Sequence, residues 1–243
     1  MSPAKPKVLF LIPARGGSKG LPAKNIRPMN GKPLLHWTVK TALESLEDVD
    51  GRVVVSTDNE EIAAVAKSSG AEIPFMRPPE LARDESTSME VVLHALEFFA
   101  KQGESFDYIC MLEATSPQRD KDDVLCALNL LMQTPRAESI VGISAAESSH
   151  PAFLALKDEK HFIRPYEGEK FVFKRRQEID EVYFFEGSLY ISAVAALKKK
   201  QSFYHEKTLG YEIPKWKSYE VDDLVDFLII ERLMKAKEEG LLF

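Results

Sequence analysis

Residues 7–13 read Lys-Val-Leu-Phe-Leu-Ile-Pro, with five apolar side chains in succession. An extended chain sends successive side chains to opposite faces. This run is therefore apolar on both faces, and a sheet covered on both sides is what accommodates it. Five residues are too few to cross a membrane or to form the core of a signal peptide. Residues 52–56, 71–75, 108–112 and 139–144 read as further short strands. Helical stripes lie between and after them: Leu35, Val39, Ala42 and Leu46; Val92, Ala95, Leu96 and Phe99; Leu125, Leu128 and Met132; and Val221, Leu224, Val225 and Leu228. Asp58 with Glu61, and Thr87 with Glu90, have the spacing of helix capping boxes. Alternating strands and helices predict one α/β domain over residues 1–243, with a mostly parallel, doubly wound sheet. Ligands in such sheets sit beyond the carboxyl ends of the strands.

Residues 147–183 break the alternation. Phe153, Phe162, Tyr166, Phe171 and Phe173 stand there among many charges, with no helical period. The segment reads as an inserted arm of short hairpins. Aromatic groups on such an arm predict burial against a second copy, hence a homodimer; a flap folded onto its own domain is the alternative. The net charge of −6 gives no basic field for nucleic acid or an anionic membrane. Cys110 and Cys126 form no CxxC pair and the five histidines show no zinc spacing, while Cys110 lies in an apolar run that predicts a buried thiol. A cytoplasmic protein is expected.

The chemistry concentrates after the first strand. Pro13-Ala14-Arg15-Gly16-Gly17-Ser18-Lys19-Gly20 leads through Leu21, Pro22 and Ala23 to Lys24-Asn25. Glycines let backbone N–H groups turn toward a ligand, and Arg15, Lys19 and Lys24 supply positive charge inside an acidic chain. That combination suits a triphosphate. It is neither a Walker loop nor GxGxxG. A solvated turn with incidental lysines is the other reading of the same residues.

The loop resembles the phosphate-binding signature of the acylneuraminate (CMP-sialic acid) cytidylyltransferases. Gly31-Lys32-Pro33-Leu34, Val55-Ser56-Thr57-Asp58, Arg77-Pro78, Glu80-Leu81-Ala82, Ser86-Thr87-Ser88 and Ala114-Thr115-Ser116-Pro117 match that family in order, over about residues 8–231. The resemblance implies a nucleotide-diphospho-sugar transferase-like fold and transfer of CMP from CTP to the anomeric 2-hydroxyl of an acidic 2-keto sugar. It implies a nucleotide site of Ala14, Arg15, Gly16, Gly17, Ser18, Lys24, Asn25, Arg77 and Ser88, with Arg15, Lys24 and Asp222 acting in catalysis. It implies a magnesium or manganese ion on Glu220 and Asp222, where the family usually has two aspartates. An acidic helix N-terminus is the other reading of that pair.

Sugar contacts are implied for Glu113, Thr115, Ser116, Arg176, Gln177 and Glu186. Two of these depart from the family: Glu113 replaces a common Gln, and Glu186 replaces a common Asn. An ionised carboxylate accepts hydrogen bonds and cannot donate them. Two such groups predict a poor fit for N-acetylneuraminate, unless they face solvent or pair with Lys174 and Arg175. A 3-deoxyoctulosonate cytidylyltransferase, a guanylyl-specific relative and a non-catalytic nucleotide-binding protein are the rival readings.

Overall fold

In the computed structural model, which describes residues 5–147, 149–166, 168 and 175–242, strand β1 (Lys7–Pro13) runs through the centre of a six-stranded sheet. Val8, Phe10 and Ile12 face one side of it and Leu9 and Leu11 the other, and all five are fully buried. Burial of each is worth roughly 1.5–3 kcal/mol relative to exposure. The first side is covered by α1 (Leu34–Leu46), α2 (Glu60–Ser68) and α4 (Lys121–Gln133). The second is covered by α3 (Ser88–Lys101) and α5 (Val194–Lys200). The sheet is thus doubly wound, as expected.

Strand order is β10 (Thr208–Glu212), β6 (Ser139–Ala145), β9 (Tyr183–Ala193), β5 (Tyr108–Met111), β1 and β4 (Asp50–Ser56). All pairings are parallel except those of β9, which runs antiparallel between β5 and β6. Two short hairpins complete the strands: β2 (Pro28–Met29) with β3 (Lys32–Pro33), and β7 (Ala155–Lys157) with β8 (Ile163–Pro165). The last helix, α6 (Leu224–Glu238), packs Phe227, Ile230 and Met234 on Leu21, Met29 and Leu34 of the segment after β1.

Several sequence expectations are corrected. Residues 71–75 form no strand: Glu72 bridges to β4 through Val53 and Val55, and Pro74 then removes the next donor. The cap of α2 is Asn59, whose side chain accepts from the N–H groups of Glu61 and Ile62, and not Asp58. Leu224, Val225 and Leu228 of α6 are exposed and Val221 precedes the helix, because the neighbouring face carrying Phe227 and Ile230 is the one that packs. In α4 the buried stripe is Val124, Ala127, Leu128 and Leu131, and Met132 is exposed. Thr87 and Glu90 do form the expected capping box on α3, and Cys110 is buried.

The arm is represented by the β7–β8 hairpin, with Phe162, Ile163 and Tyr166 exposed. Its root is fixed by His150, whose Nδ1 accepts from the Ala152 N–H while Nε2 lies 3.0 Å from the Asp180 carbonyl oxygen. Phe171, Phe173 and Lys174 lie outside the described residues.

Candidate active site

At the carboxyl ends of β1 and β5 three cavities adjoin. The first, about 380 Å³, is lined by Arg15, Ser18, Lys19, Gly20, Lys24, Asn25, Glu113, Ala114, Thr115 and Asp222. Its loop is held from four directions. The Ala14 N–H donates to the Ser56 carbonyl (2.9 Å), the Gly16 N–H to Asp58 Oδ1 (2.9 Å), and Asn25 Nδ2 to the Arg15 carbonyl (3.1 Å). Gly20 lies so close to the Asp222 carbonyl that any β-carbon would overlap it. Gly17 has open space around it. Asp58, read from the sequence as a helix cap, instead shapes this loop.

The loop's cations stand ready for exchange. Arg15 and Lys19 both pair with exposed Asp84, and Arg15 also donates to the Arg83 carbonyl. Lys24 donates to the Val221 carbonyl (2.6 Å) and lies 3.8 Å from Asp222 Oδ1. Burial lowers its pKa, against the pull of Asp222, Glu113 and Glu220.

The second cavity, about 220 Å³, shares Pro13, Arg15 and Glu113 with the first and adds Arg77, Ser86, Thr87 and Ser88. Arg77 is buried and donates to Ser56 Oγ (3.1 Å) and the Ser56 carbonyl (2.5 Å); burial brings its pKa down to about 10. Ser88 opens α3, one residue after the cap Thr87. Both residues expected to frame the base therefore line one cavity.

The third cavity, about 260 Å³, is lined by Ser88, Met89, Met111, Glu113, Tyr190, Gln201, Ser202, Phe203 and Tyr204. The rings of Phe185, Tyr190, Phe203 and Tyr204 form a connected aromatic group beside it, with centroids 4.7–6.2 Å apart. Apart from Ser88 and Glu113, these residues were not picked out as site residues from the sequence. The signal available was strand alternation through Ser188 and Tyr190, but it reads correctly only once β9 is placed beside β5.

Glu113 lines all three cavities. Its backbone carbonyl accepts from Arg119 (2.9 Å) and Thr38 (3.4 Å), while its carboxyl makes no hydrogen bond or ion pair among the described residues. Burial, and then the charge of Glu220, raise its pKa to about 7. Glu220 is raised as well, first by burial; one of its oxygens accepts from the Gly187 N–H (2.5 Å). Asp222 is 84% exposed at the side chain and faces the first cavity. The expected metal pair is thus split, with Asp222 at the wall and Glu220 anchored behind it. No cluster of three or more metal-binding side chains occurs among the described residues.

Other expected contacts fall elsewhere. Glu186 is 1% exposed, accepts from the Ser188 N–H (3.2 Å) and from Ser188 Oγ, and leaves Gly142 no room for a β-carbon. It lines none of the three cavities, so its reading as a sugar contact is withdrawn: the β6–β9 pairing seals it inside. Burial raises its pKa to about 7. Ser116 is also fully buried and away from the cavities. Gln177 is exposed on a short 3-10 turn, Arg176–Glu178, and lines none of them; the Arg176 side chain lies outside the described groups.

A family model described as cytidylyltransferase matches residues 9–212. The chain belongs to the cytidylyltransferase family. It is a nucleotidyltransferase, and the non-catalytic reading falls. This cytidylyltransferase is 30% identical over 236 residues to the CMP-N,N'-diacetyllegionaminic acid synthase of Legionella pneumophila, covering 97% of this chain and 99% of that one. It is 31% identical over 235 residues to the pseudaminic acid cytidylyltransferase of Campylobacter jejuni, covering 96% and 99%. It is 29% identical to the N-acylneuraminate cytidylyltransferase of Escherichia coli, with 95% of this chain matching 53% of that protein. Among solved structures, a CMP:2-keto-3-deoxy-manno-octonic acid synthetase complexed with CTP superposes with a TM-score of 0.69 at 17% identity, covering 95% and 99%. A 4-diphosphocytidyl-2C-methyl-D-erythritol synthase does so with 0.64 at 14%, with the same coverage. These two show a shared fold.

Proposed function

We propose that this cytidylyltransferase transfers CMP from CTP to the anomeric 2-hydroxyl of a 2-keto-3-deoxy acid sugar of the sialic acid type, with release of pyrophosphate. The observation that carries the reading is the continuity of three cavities through Glu113. One is cationic and suits a triphosphate, one holds buried Arg77 and Ser88 for the base, and one is aromatic and polar for a sugar. The names of the relatives point to the same class of acceptor.

Arg15 and Lys19 exchange Asp84 for phosphate oxygens, which costs little because Asp84 is exposed, and Lys24 exchanges the Val221 carbonyl. Asp58 and Asn25 fix the loop backbone beneath these cations through the Gly16 N–H and the Arg15 carbonyl. Such positioning of the α-phosphate against the hydroxyl supplies much of the rate in nucleotidyl transfer. Asp222 and Glu220 offer hard carboxylate oxygens, and the mutual repulsion that helps raise Glu220 is relieved by a cation. Asp222 at the cavity wall, with the Glu220 oxygen not engaged by Gly187 behind it, would be the residues to hold magnesium or manganese. When bound, the ion supplies Lewis-acid polarisation of the phosphoryl group.

Exposed Phe162, Ile163 and Tyr166 support a homodimer through the arm; sedimentation as a monomer at micromolar concentration removes it. No helix among the described residues is long and apolar enough to cross a membrane, in keeping with a cytoplasmic setting. The activity is tested by pyrophosphate release from CTP with sialic, legionaminic, pseudaminic, deaminated and octulosonic acids, with GTP as control. Turnover with octulosonate alone favours the reading that the CTP-bound fold neighbour suggests, and turnover with GTP overturns the choice of nucleotide. With Glu186 sealed away, the expected handicap of N-acetylneuraminate rests on Glu113 alone, and the same panel tests it.

A further inference from the structure

The proposed reaction needs an acceptor for the proton of the attacking hydroxyl, and the residues matched to the family provide none. We propose that Glu113 is that acceptor and acts as the catalytic base. The inference rests on the function proposed above and adds a residue role to it.

Three observations converge. Glu113 alone lines the phosphate, base and sugar cavities together, so its carboxyl stands where the α-phosphate and the acceptor hydroxyl must meet. Its backbone is clamped by Arg119, a fully buried guanidinium that also donates to the Ser116 carbonyl (2.8 Å), and by Thr38. Among the described residues its carboxyl has no hydrogen-bond or ion-pair partner, unlike Glu186 and Glu220, which are both held by N–H groups. A fixed backbone with an unengaged carboxyl facing substrate is the arrangement a general base requires.

In the step, the 2-hydroxyl oxygen forms the new bond to the α-phosphorus as its proton passes to a Glu113 oxygen. The bond from the α-phosphorus to the bridging oxygen breaks, and its electron pair leaves with pyrophosphate. The proton then returns to solvent through the open cavities. The groups facing Glu113 set its poise. Glu220 opposes ionisation, Arg119, Arg77 and Lys24 favour it, and Tyr190 faces it across the sugar cavity. With burial included, the balance falls at about 7, where a base is both available and effective.

The test compares the intact wild-type chain with E113Q and Glu113→Asp, using CTP, magnesium and whichever acid sugar the wild type accepts. E113Q should lose roughly 10²–10³-fold in kcat. Its calorimetric affinity for CTP and its unfolding temperature should stay near those of wild type. Wild-type kcat/KM for the sugar should rise with pH and then level, and that rise should vanish in E113Q. Glu113→Asp should recover part of the rate and keep a rising limb. An E113Q variant as fast as wild type, or one slowed with its pH limb intact, overturns the base. A wild type that releases no pyrophosphate with any acid sugar overturns the substrate reading, and the base with it.

Discussion

In the loop after β1 the charged groups lean on neighbours that a ligand can displace: Arg15 and Lys19 on exposed Asp84, and partly buried Lys24 on a carbonyl. Behind it, Glu113, Glu186 and Glu220 are withdrawn from water, and burial favours their neutral forms. The loop keeps its charge and exchanges partners. The carboxyl layer keeps its place and exchanges protons. In the proposed reading, binding of the anionic nucleotide falls to the first, and pH sensitivity to the second.

The largest break in that division is expected from the one carboxylate that crosses it. Asp222 is exposed at the loop side and, in the proposed reading, shares a metal ion with Glu220, so Asp222→Ala or EDTA should cost roughly a thousandfold in kcat/KM, about 4 kcal/mol. The unfolding temperature should hardly move, because the side chain buries little. Full turnover in EDTA removes the metal from the reading. Lys24→Ala should cost about 1.5–3 kcal/mol, ten- to a hundredfold in kcat/KM for CTP. Unchanged CTP kinetics would take Lys24 out of the site.

Glu186→Gln sharpens the other side. A carboxyl whose folded pKa lies above its ordinary value favours folding while protonated, and that stability is lost as pH rises through about 7. Between pH 5 and 8.5 the loss is on the order of 1–3 kcal/mol. The variant should therefore lose several degrees less of Tm over that range than wild type. Parallel Tm curves would mean that Glu186 stays ionised in the fold. The smallest effect is expected from Asp84→Ala: freeing Arg15 and Lys19 should improve KM for CTP by at most about threefold, as for any exposed pair.

The contrast also marks where the sequence was legible. β1, the glycine-cation loop and the Thr87 cap are local patterns, and each lies where its pattern put it, whereas Arg77 and Ser88, which share one cavity, came from the family resemblance. Glu186 and Tyr190 depend on β9 entering antiparallel between β5 and β6, a pairing of segments far apart in sequence. Alternation along β9 told which residues share a face, and nothing local told which face met the cavity. The α6 stripe failed for a related reason: the helix is apolar on two sides, and α6 buries only the one facing Leu21 and Met29.

Lys24 bonds to Val221, Gly20 closes on the Asp222 carbonyl, and the Val221 N–H reaches back to Thr115. A chain leaving the ribosome at about 5–20 residues per second has made its phosphate loop long before these partners exist. The loop is therefore a cradle without a wall through most of synthesis, and in the proposed reading nucleotide affinity follows only once Val221 and Asp222 have emerged. Late truncations ahead of Val221 should retain much of the sheet and lose CTP, so that any nucleotide-loaded chain has passed a check on its own completion through residue 222.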